Sequence, residues 1–189
     1  RLADLEIEAK NFTKAEVHVR RYVDACEKYF GTRSEDYIRA CAKLAKVYAG
    51  LGRLLIADSL FERSITLHKA MESADTDPEL ALALQQRAVF RIQQDRMADA
   101  LADLQEARAI IERVHDPSYY KLATYDLFLA EASFAAGDPR AAHRYATRAL
   151  ALVQDRVDAL KATAIPQTFA QPYLLPDALY WKVMAERAM

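Results

Sequence analysis

The sequence has little glycine, few cysteines and no long apolar run. Its 189 residues include four glycines, two cysteines and one tryptophan. Because the glycines are not grouped, the chain has neither a P-loop nor a dinucleotide-binding fingerprint. No apolar stretch approaches the roughly 20 residues that a membrane-spanning helix needs, and the best candidate, 128–136, is interrupted by Glu131. These absences exclude the commonest nucleotide-binding loops and predict no membrane insertion.

Cysteine content and net charge restrict the compartment and the partners. Cys26 and Cys41 are too few for a disulfide framework, so we interpret them as small buried hydrophobes in a reducing, cytoplasmic setting. The chain opens on Arg1 and not on methionine, which indicates a fragment or processed chain, so any targeting signal would lie outside this sequence. A formal net charge of −1 gives no electrostatic basis for binding nucleic acid or an anionic membrane.

The polar residues form no arrangement typical of catalysis or metal binding. The four histidines, His18, His68, His115 and His143, lie in different segments, and neither His-x-x-x-His nor Cys-x-x-Cys spacing occurs. The carboxylates are scattered and often lie near arginine or lysine, as on solvated helix surfaces. We therefore expect no enzyme activity, no metal site and no cofactor.

What the sequence does contain is a long internal repeat. Four segments each hold an alanine at an equivalent place, separated by 42, 43 and 42 residues: Ala15, Ala57, Ala100 and Ala142. Twelve residues before each of these lies another alanine: Ala3, Ala45, Ala88 and Ala130. Between the two alanines lies a turn residue: Lys10, Gly52, Asp95 and Gly137. Since small residues let helix axes approach closely, each segment is predicted to be a pair of antiparallel helices.

Helix limits follow from caps and turns. Ser34, Asp77 and Asp116 are good N-caps, and proline follows the two aspartates. The pattern predicts helices near 1–9, 12–30, 34–51, 54–72, 77–94, 97–114, 117–136, 139–163 and 177–188.

With this layout, residues 1–152 resemble the tetratricopeptide repeat family. The period is longer than the family's usual repeat of about 34 residues and is similar to that of the kinesin light chain subgroup, which joins its units by Asp-Pro linkers as at 77–79 and 116–118. The resemblance implies an all-α fold, a right-handed α-α superhelix of antiparallel helix pairs. It places four units in 1–152, with helix pairs near 1–30, 34–72, 77–114 and 117–152.

After Leu152 the repeat breaks. Residues 153–189 are predicted to hold an extension of the eighth helix, a loop at 165–177 with three prolines, and a C-terminal helix that caps the array. The alternative is that this last helix opens a fifth unit.

In the tetratricopeptide family the first helix of each pair lines a concave groove that binds peptides. Carried over by position, the resemblance gives eleven groove candidates: Arg39, Lys43, Lys46, Gln85, Gln86, Val89, Gln93, Leu127, Phe128, Glu131 and Phe134. The groove would be basic at one end, lined by amides in the middle, and apolar with one acid at the other end. The carboxylate clamp of chaperone-binding members and the paired asparagines of kinesin light chains are missing at the matching positions.

Arg87 and Arg91 stand where the family normally has apolar packing residues. They are expected to extend past the core and pair with acids on a neighbouring helix, such as Asp58 or Glu62. The alternative is a notch that binds an anionic partner.

The sequence therefore predicts a scaffold domain that binds a protein or peptide. The alternative is a regulatory helical domain of a larger signalling protein, such as a transcription regulator or protease, that binds an effector or an internal segment. A third hypothesis is self-assembly into a homo-oligomer.

Overall fold

The computed structural model describes residues 2–71, 73–162 and 174–189, and within these ranges the chain is helical with no β-strand. The helices are α1 (Leu2–Glu8), α2 (Phe12–Phe30), α3 (Glu35–Gly50), α4 (Leu54–Lys69), α5 (Pro78–Gln93), α6 (Met97–Val114), α7 (Leu122–Ala135), α8 (Pro139–Ala162) and α9 (Leu174–Ala188). A short 3-10 turn, Ala74–Thr76, precedes α5. The predicted all-α class is confirmed. Most of the predicted proline loop at 165–177 lies outside the described residues.

The chain forms two compact lobes, an N-terminal lobe (Arg1–Phe90) and a C-terminal lobe (Arg91–Met189). In the N-terminal lobe α1 packs on α2, α2 on α3, and α3 on α4. Ala15, Ala45 and Ala57 have no exposed surface, so the helices approach closely where the repeat places its alanines. Phe61, 1% exposed, fills the space between them, with its ring centroid 5.6 Å from that of Phe90.

In the C-terminal lobe α6 packs on α7, α7 on α8, and α9 on both α8 and α7. Ala100, Ala130 and Ala142 are again fully buried. The alanine spacing read from the sequence therefore marks helix contacts in both lobes. Of the first alanines, Ala3 lies where no side chain is described.

The four predicted turn residues all have positive φ: 57° for Lys10, 73° for Gly52, 60° for Asp95 and 82° for Gly137. In each turn the next residue donates its backbone N–H to the carbonyl five residues upstream. These bonds, 2.7 to 2.9 Å long, are Asn11 to Glu6, Arg53 to Tyr48, Arg96 to Arg91 and Asp138 to Ser133. This is the Schellman closure of a helix C-terminus, which requires a left-handed residue and favours glycine there. The predicted turns are confirmed.

Two of the three predicted helix caps are present. The Ser34 hydroxyl accepts a hydrogen bond from the backbone N–H of Tyr37 at 3.3 Å, and α3 begins directly after Ser34, at Glu35. Asp77 accepts the backbone N–H of Glu79 at 2.9 Å, and Pro78 is the first residue of α5. Both satisfy amides that have no partner within the helix.

The third cap is wrong, because α7 begins at Leu122 and not near 117. The Asp116 carboxylate instead accepts the backbone N–H of Ser118 at 2.9 Å and its hydroxyl at 2.7 Å. These bonds close an Asx turn, and such local side-chain bonds compete with the start of a helix.

The expectation that the carboxylates lie on solvated surfaces is wrong for α7. Asp126 has no exposed surface. It accepts hydrogen bonds from the Nε of Arg108 on α6 at 2.7 Å and from the Nε of Arg148 on α8 at 2.8 Å. Asp103 is also buried, 3% exposed, and pairs with Arg91. Arginine from neighbouring helices supplies the partners that make these buried carboxylates tolerable.

Candidate functional site

Two depressions lie along the first helices of the N-terminal lobe. One spans about 320 Å³ and the other about 390 Å³, and both are open to solvent. The first is lined by Arg39, Ala42, Lys43, His68, Glu79, Leu82, Ala83 and Gln86. The second is lined by Asp4, Ile7, Glu8, Lys43, Lys46 and Gln86. Because they share Lys43 and Gln86, the depressions are adjacent parts of one surface.

The lining residues follow a fixed register relative to the buried alanine of each first helix. On α3, Arg39 and Lys43 precede Ala45 by six and two residues, and Lys46 follows it by one. On α5 the residues six and two before Ala88 are Leu82 and Gln86. Positions three or four apart share a helical face. The places six before, two before and one after the buried alanine are termed groove positions below, and they occupy the same face of each first helix.

Two of the three cations on α3 are already paired. The Nζ of Lys43 donates to Asp4 at 2.8 Å, and this bond lowers the pKa of the Asp4 carboxyl. Arg39 donates to Asp36, also at 2.8 Å. Lys46 is exposed and makes no ion pair with any described residue. The basic end expected from the sequence is thus largely neutralised within the lobe, and Lys46 is its available charge.

Gln85 and Gln86 are half-buried on α5, and neither amide is hydrogen-bonded to the described part of the chain. Each primary amide has donors and an acceptor to offer to a peptide backbone. Val89, one residue after Ala88, is also half-buried, and Gln93 is exposed in the last turn of α5.

His68 is a lining residue to which the sequence gave no role. It is 1% exposed, and its Nδ1 lies 2.9 Å from the carboxylate of Asp77. The signal for it is local, since a histidine in the last turn of α4 precedes the Asp77-Pro78 start of α5. His68 thereby contacts the residue that caps the next helix.

On α7 two adjacent candidates, Leu127 and Phe128, differ in how deeply their side chains are buried. Leu127 is buried, 8% exposed, and lies three residues before Ala130. Ala42, at the same place on α3, is also buried, 7% exposed, although it lines one of the depressions. Phe128 and Glu131, at groove positions, are half-buried.

Phe134 and Glu131 lie close to α9. The Phe134 ring centroid is 5.7 Å from that of Trp181. Burial raises the pKa of the Glu131 carboxyl, and the charge of Asp177 raises it further. The C-terminal helix therefore borders the groove candidates of α7.

The two unusual arginines of α5 are both engaged by acids. Arg87, 6% exposed, donates to Glu62 of α4, as expected. Arg91 donates to Asp103 of α6 at 2.7 Å and to the carbonyl of Asp99 at 3.3 Å. These pairs favour a packing role over an anion-binding notch.

Within the described ranges, no group of three or more His, Cys, Asp or Glu side chains is placed to hold a metal ion. No helix there combines the length and apolarity needed to cross a membrane. Cys26 and Cys41 are free and buried, as expected. Burial raises the pKa of the Cys41 thiol, which disfavours the reactive thiolate.

Comparison with known proteins agrees with the helical-repeat geometry. Residues 79–155 match the family model of the tetratricopeptide repeat. No curated protein matches the chain. One solved structure contains nearly identical tetratricopeptide-like repeats from a protein of Podosopora anserina that is described as a kinesin light chain. It superposes with a TM-score of 0.70 at 17% identity, over 98% of this chain and 94% of that one. BtubC (BKLC) from P. vanneervenii superposes with a TM-score of 0.72 at 18% identity, over 99% of this chain and 76% of that one.

The matched segment contains α6, α7 and nearly all of α5, and both structural neighbours cover almost the whole chain. At these identities the superpositions establish the fold alone. Residues 79–155 therefore match the tetratricopeptide repeat family, and the chain has the tetratricopeptide-like helical repeat fold.

Proposed function

We propose that the chain is a scaffold that binds a segment of a protein partner along the groove positions of its first helices. Tetratricopeptide repeats generally bind protein partners, and their fold is typically that of a non-enzymatic scaffold. The observation that carries the proposal is that Lys46 and Gln86, which line the depressions of the N-terminal lobe, and the adjacent Gln85 make no hydrogen bond or ion pair with the described residues.

These three side chains offer complementary contacts to an extended segment. The amides of Gln85 and Gln86 can each donate to a backbone carbonyl and accept from a backbone N–H. Lys46 supplies a charge for an acidic side chain or a terminal carboxylate. Leu82, 43% exposed, provides an apolar contact in the neighbouring depression. Arg39 and Lys43 line the depressions while they are paired with Asp36 and Asp4. They can contact a partner's carboxylate only when these ion pairs break.

The other candidates lie on α5 and, in the C-terminal lobe, on α7, and each lobe is considered by itself. Val89, Gln93, Phe128, Glu131 and Phe134 are partly or fully exposed, and they include the apolar and acidic contacts expected there. Leu127 packs internally and supports the helix that carries them.

The regulatory-domain and homo-oligomer hypotheses stay predictions. An effector or internal segment would use the same groove, and the sequences flanking residues 1 and 189 in the full gene product separate this case from a stand-alone scaffold. Light scattering across a concentration series tests self-association.

The test is a fluorescence anisotropy measurement with labelled ten-residue peptides of mixed sequence, using the chain with Lys46→Ala, Gln85→Ala and Gln86→Ala combined. We expect the three changes to raise the Kd of bound peptides at least about tenfold, which is about 1.4 kcal/mol. The matched control combines Lys14→Ala and Gln105→Ala, both exposed on second helices. Unchanged peptide affinity in the triple variant, with helical content preserved by circular dichroism, contradicts the proposal.

A further inference from the structure

The C-terminal helix α9 repeats the register of a first helix. Ala178 and Ala185 are seven residues apart and have no exposed surface. The same spacing of fully buried alanines occurs on α5, at Ala81 and Ala88, and on α7, at Ala123 and Ala130. Since α9 also packs along α8 and contacts α7, it occupies the place of a first helix in the C-terminal lobe.

This register puts two apolar side chains of α9 at groove positions. Leu179 and Val183 lie six and two residues before Ala185. They are 48% and 42% exposed. At the matching places on α3, Arg39 and Lys43 line the depressions of the N-terminal lobe. Leu179 and Val183 therefore occupy the same face of α9 that Arg39 and Lys43 occupy on α3.

Two further places of the register differ between α9 and α7. The residues eight before and two after the second alanine are buried and apolar on α7, at Leu122 and Ala132. On α9 the same two places hold Asp177 and Arg187, both exposed. The exposed apolar side chains Leu179 and Val183 therefore lie on a helix whose neighbouring positions are charged.

The groove side of α7 supplies a matching surface. Phe128, two residues before Ala130, is half-buried and apolar. Glu131, one residue after Ala130, is half-buried and has no ion pair within the described residues, while Asp177 adds a second negative charge near it. The corresponding acid of α9, Glu186, already faces His143 at 3.2 Å. Glu131 is therefore a carboxylate whose burial is uncompensated until a cation reaches it.

We propose that α7 and α9 form a second binding surface that takes a partner segment with two apolar side chains next to a lysine or arginine. The apolar side chains contact Phe128, Leu179 and Val183, and the cation pairs with Glu131. The inference rests on the proposed function in that both use groove positions, but it concerns the C-terminal lobe alone and gives α9 a binding role in addition to a capping one.

The probes are fluorescein-labelled ten-residue peptides with a central Leu-Phe pair, flanked by lysine in one peptide and by glutamate in the other. With the full chain, we expect the lysine peptide to bind with at least about fivefold lower Kd, from charge complementarity at Glu131. Glu131→Gln removes this preference while the leucine-phenylalanine contacts remain. Leu179→Ser combined with Val183→Ser raises the Kd of both peptides at least about fivefold.

The control is Leu55→Ser, which changes a leucine that is 89% exposed on α4 and leaves peptide binding unchanged. Equal Kd values for the two peptides, or unchanged binding in the Leu179/Val183 variant, overturn the inference. If the Lys46/Gln85/Gln86 variant loses the lysine peptide while the α9 variant retains it, the proposed function stands and this inference fails. The opposite pattern supports the inference and overturns the N-terminal groove. Absence of binding to either peptide overturns the inference.

Discussion

The two lobes fill the same position of the repeat with opposite chemistry. Cys41 lies four residues before the buried Ala45 of α3, and Asp126 lies four residues before the buried Ala130 of α7. Both are inaccessible to solvent, with 1% and 0% exposure. One is a small hydrophobic thiol and the other is a carboxylate.

Their partners differ in the same way. Val23, eight residues after Ala15 on α2, packs against the cluster that contains Cys41. Arg108, eight residues after Ala100 on α6, donates to Asp126 at 2.7 Å. The junction between a second helix and the following first helix is therefore apolar in one lobe and ionic in the other. The repeat specifies where two helices meet, and either chemistry satisfies it once both partners are present.

The largest expected effect comes from breaking the ionic junction. Asp126→Leu leaves the guanidinium of Arg108, 9% exposed, paired with Glu112 but without its buried carboxylate partner, so the free energy of unfolding should fall by about 3 kcal/mol. Urea denaturation followed by circular dichroism gives the size, and hydrogen exchange assigns it to the C-terminal lobe. Adding Arg108→Leu converts the junction to the apolar kind and should recover most of the loss. If the single change costs less than about 1 kcal/mol, the ionic junction does not hold the lobe together.

A smaller effect tests what the lobes share. Gly52 and Gly137 have φ of 73° and 82°, and no atom lies within 4 Å of a Cβ built on either. Changing each to alanine should therefore cost only the left-handed backbone penalty, about 1–2 kcal/mol in both lobes. Asp95→Gly relieves the same penalty and should stabilise by somewhat less, since aspartate tolerates this conformation. Thermal denaturation of the three variants checks this, and clearly unequal costs for the two glycines would show that the turns are not equivalent.

The smallest effect is a difference in pH response. The pKa of Asp4 in the N-terminal lobe is lowered by Lys43, so its contribution to stability is lost as the pH falls through that lowered pKa. The pKa of Glu131 in the C-terminal lobe is raised by burial, so its contribution is present at low pH and is lost as the pH rises through the raised pKa. Hydrogen exchange across a pH series should show Glu131→Gln stabilising the C-terminal lobe at neutral pH and Asp4→Asn weakening the N-terminal lobe there. If Glu131→Gln and Asp4→Asn change the stability of their lobes in the same direction at neutral pH, the two lobes do not differ in their pH response.

The parts of the fold that were predictable depend on the identity of single residues. A small alanine allows two helices to approach closely, and glycine or aspartate tolerates a left-handed turn. Because these reasons depend on the residue itself, the roles of Ala57, Gly52 and Asp95 were predictable from spacing alone. The start of α7 was missed because Asp116 can serve either as a helix cap or in an Asx turn, and only the following residues decide between them.

The ionic junction was not predictable in the same way. Asp126 depends on Arg108 and Arg148, which are 18 and 22 residues away in the sequence. A single charged residue in a helix is usually solvated, and burial becomes evident only when the partners on two other helices are known. Among the groove candidates, Leu127 differs from Phe128 by one residue of helix rotation, which periodicity does not resolve.

The four left-handed turns also bear on how the chain reaches its fold. Each turn closes with a hydrogen bond between residues only five apart, and the helices that pack together in each lobe are mainly consecutive in the sequence. Such a chain has low contact order, so a helix pair has little loop-closure entropy to overcome before its contacts form. Folding can therefore begin at any of the four turns and spread to adjacent helices, as in other repeat proteins. During synthesis, α1 and α2 can pair as soon as both have left the ribosome, without waiting for later segments.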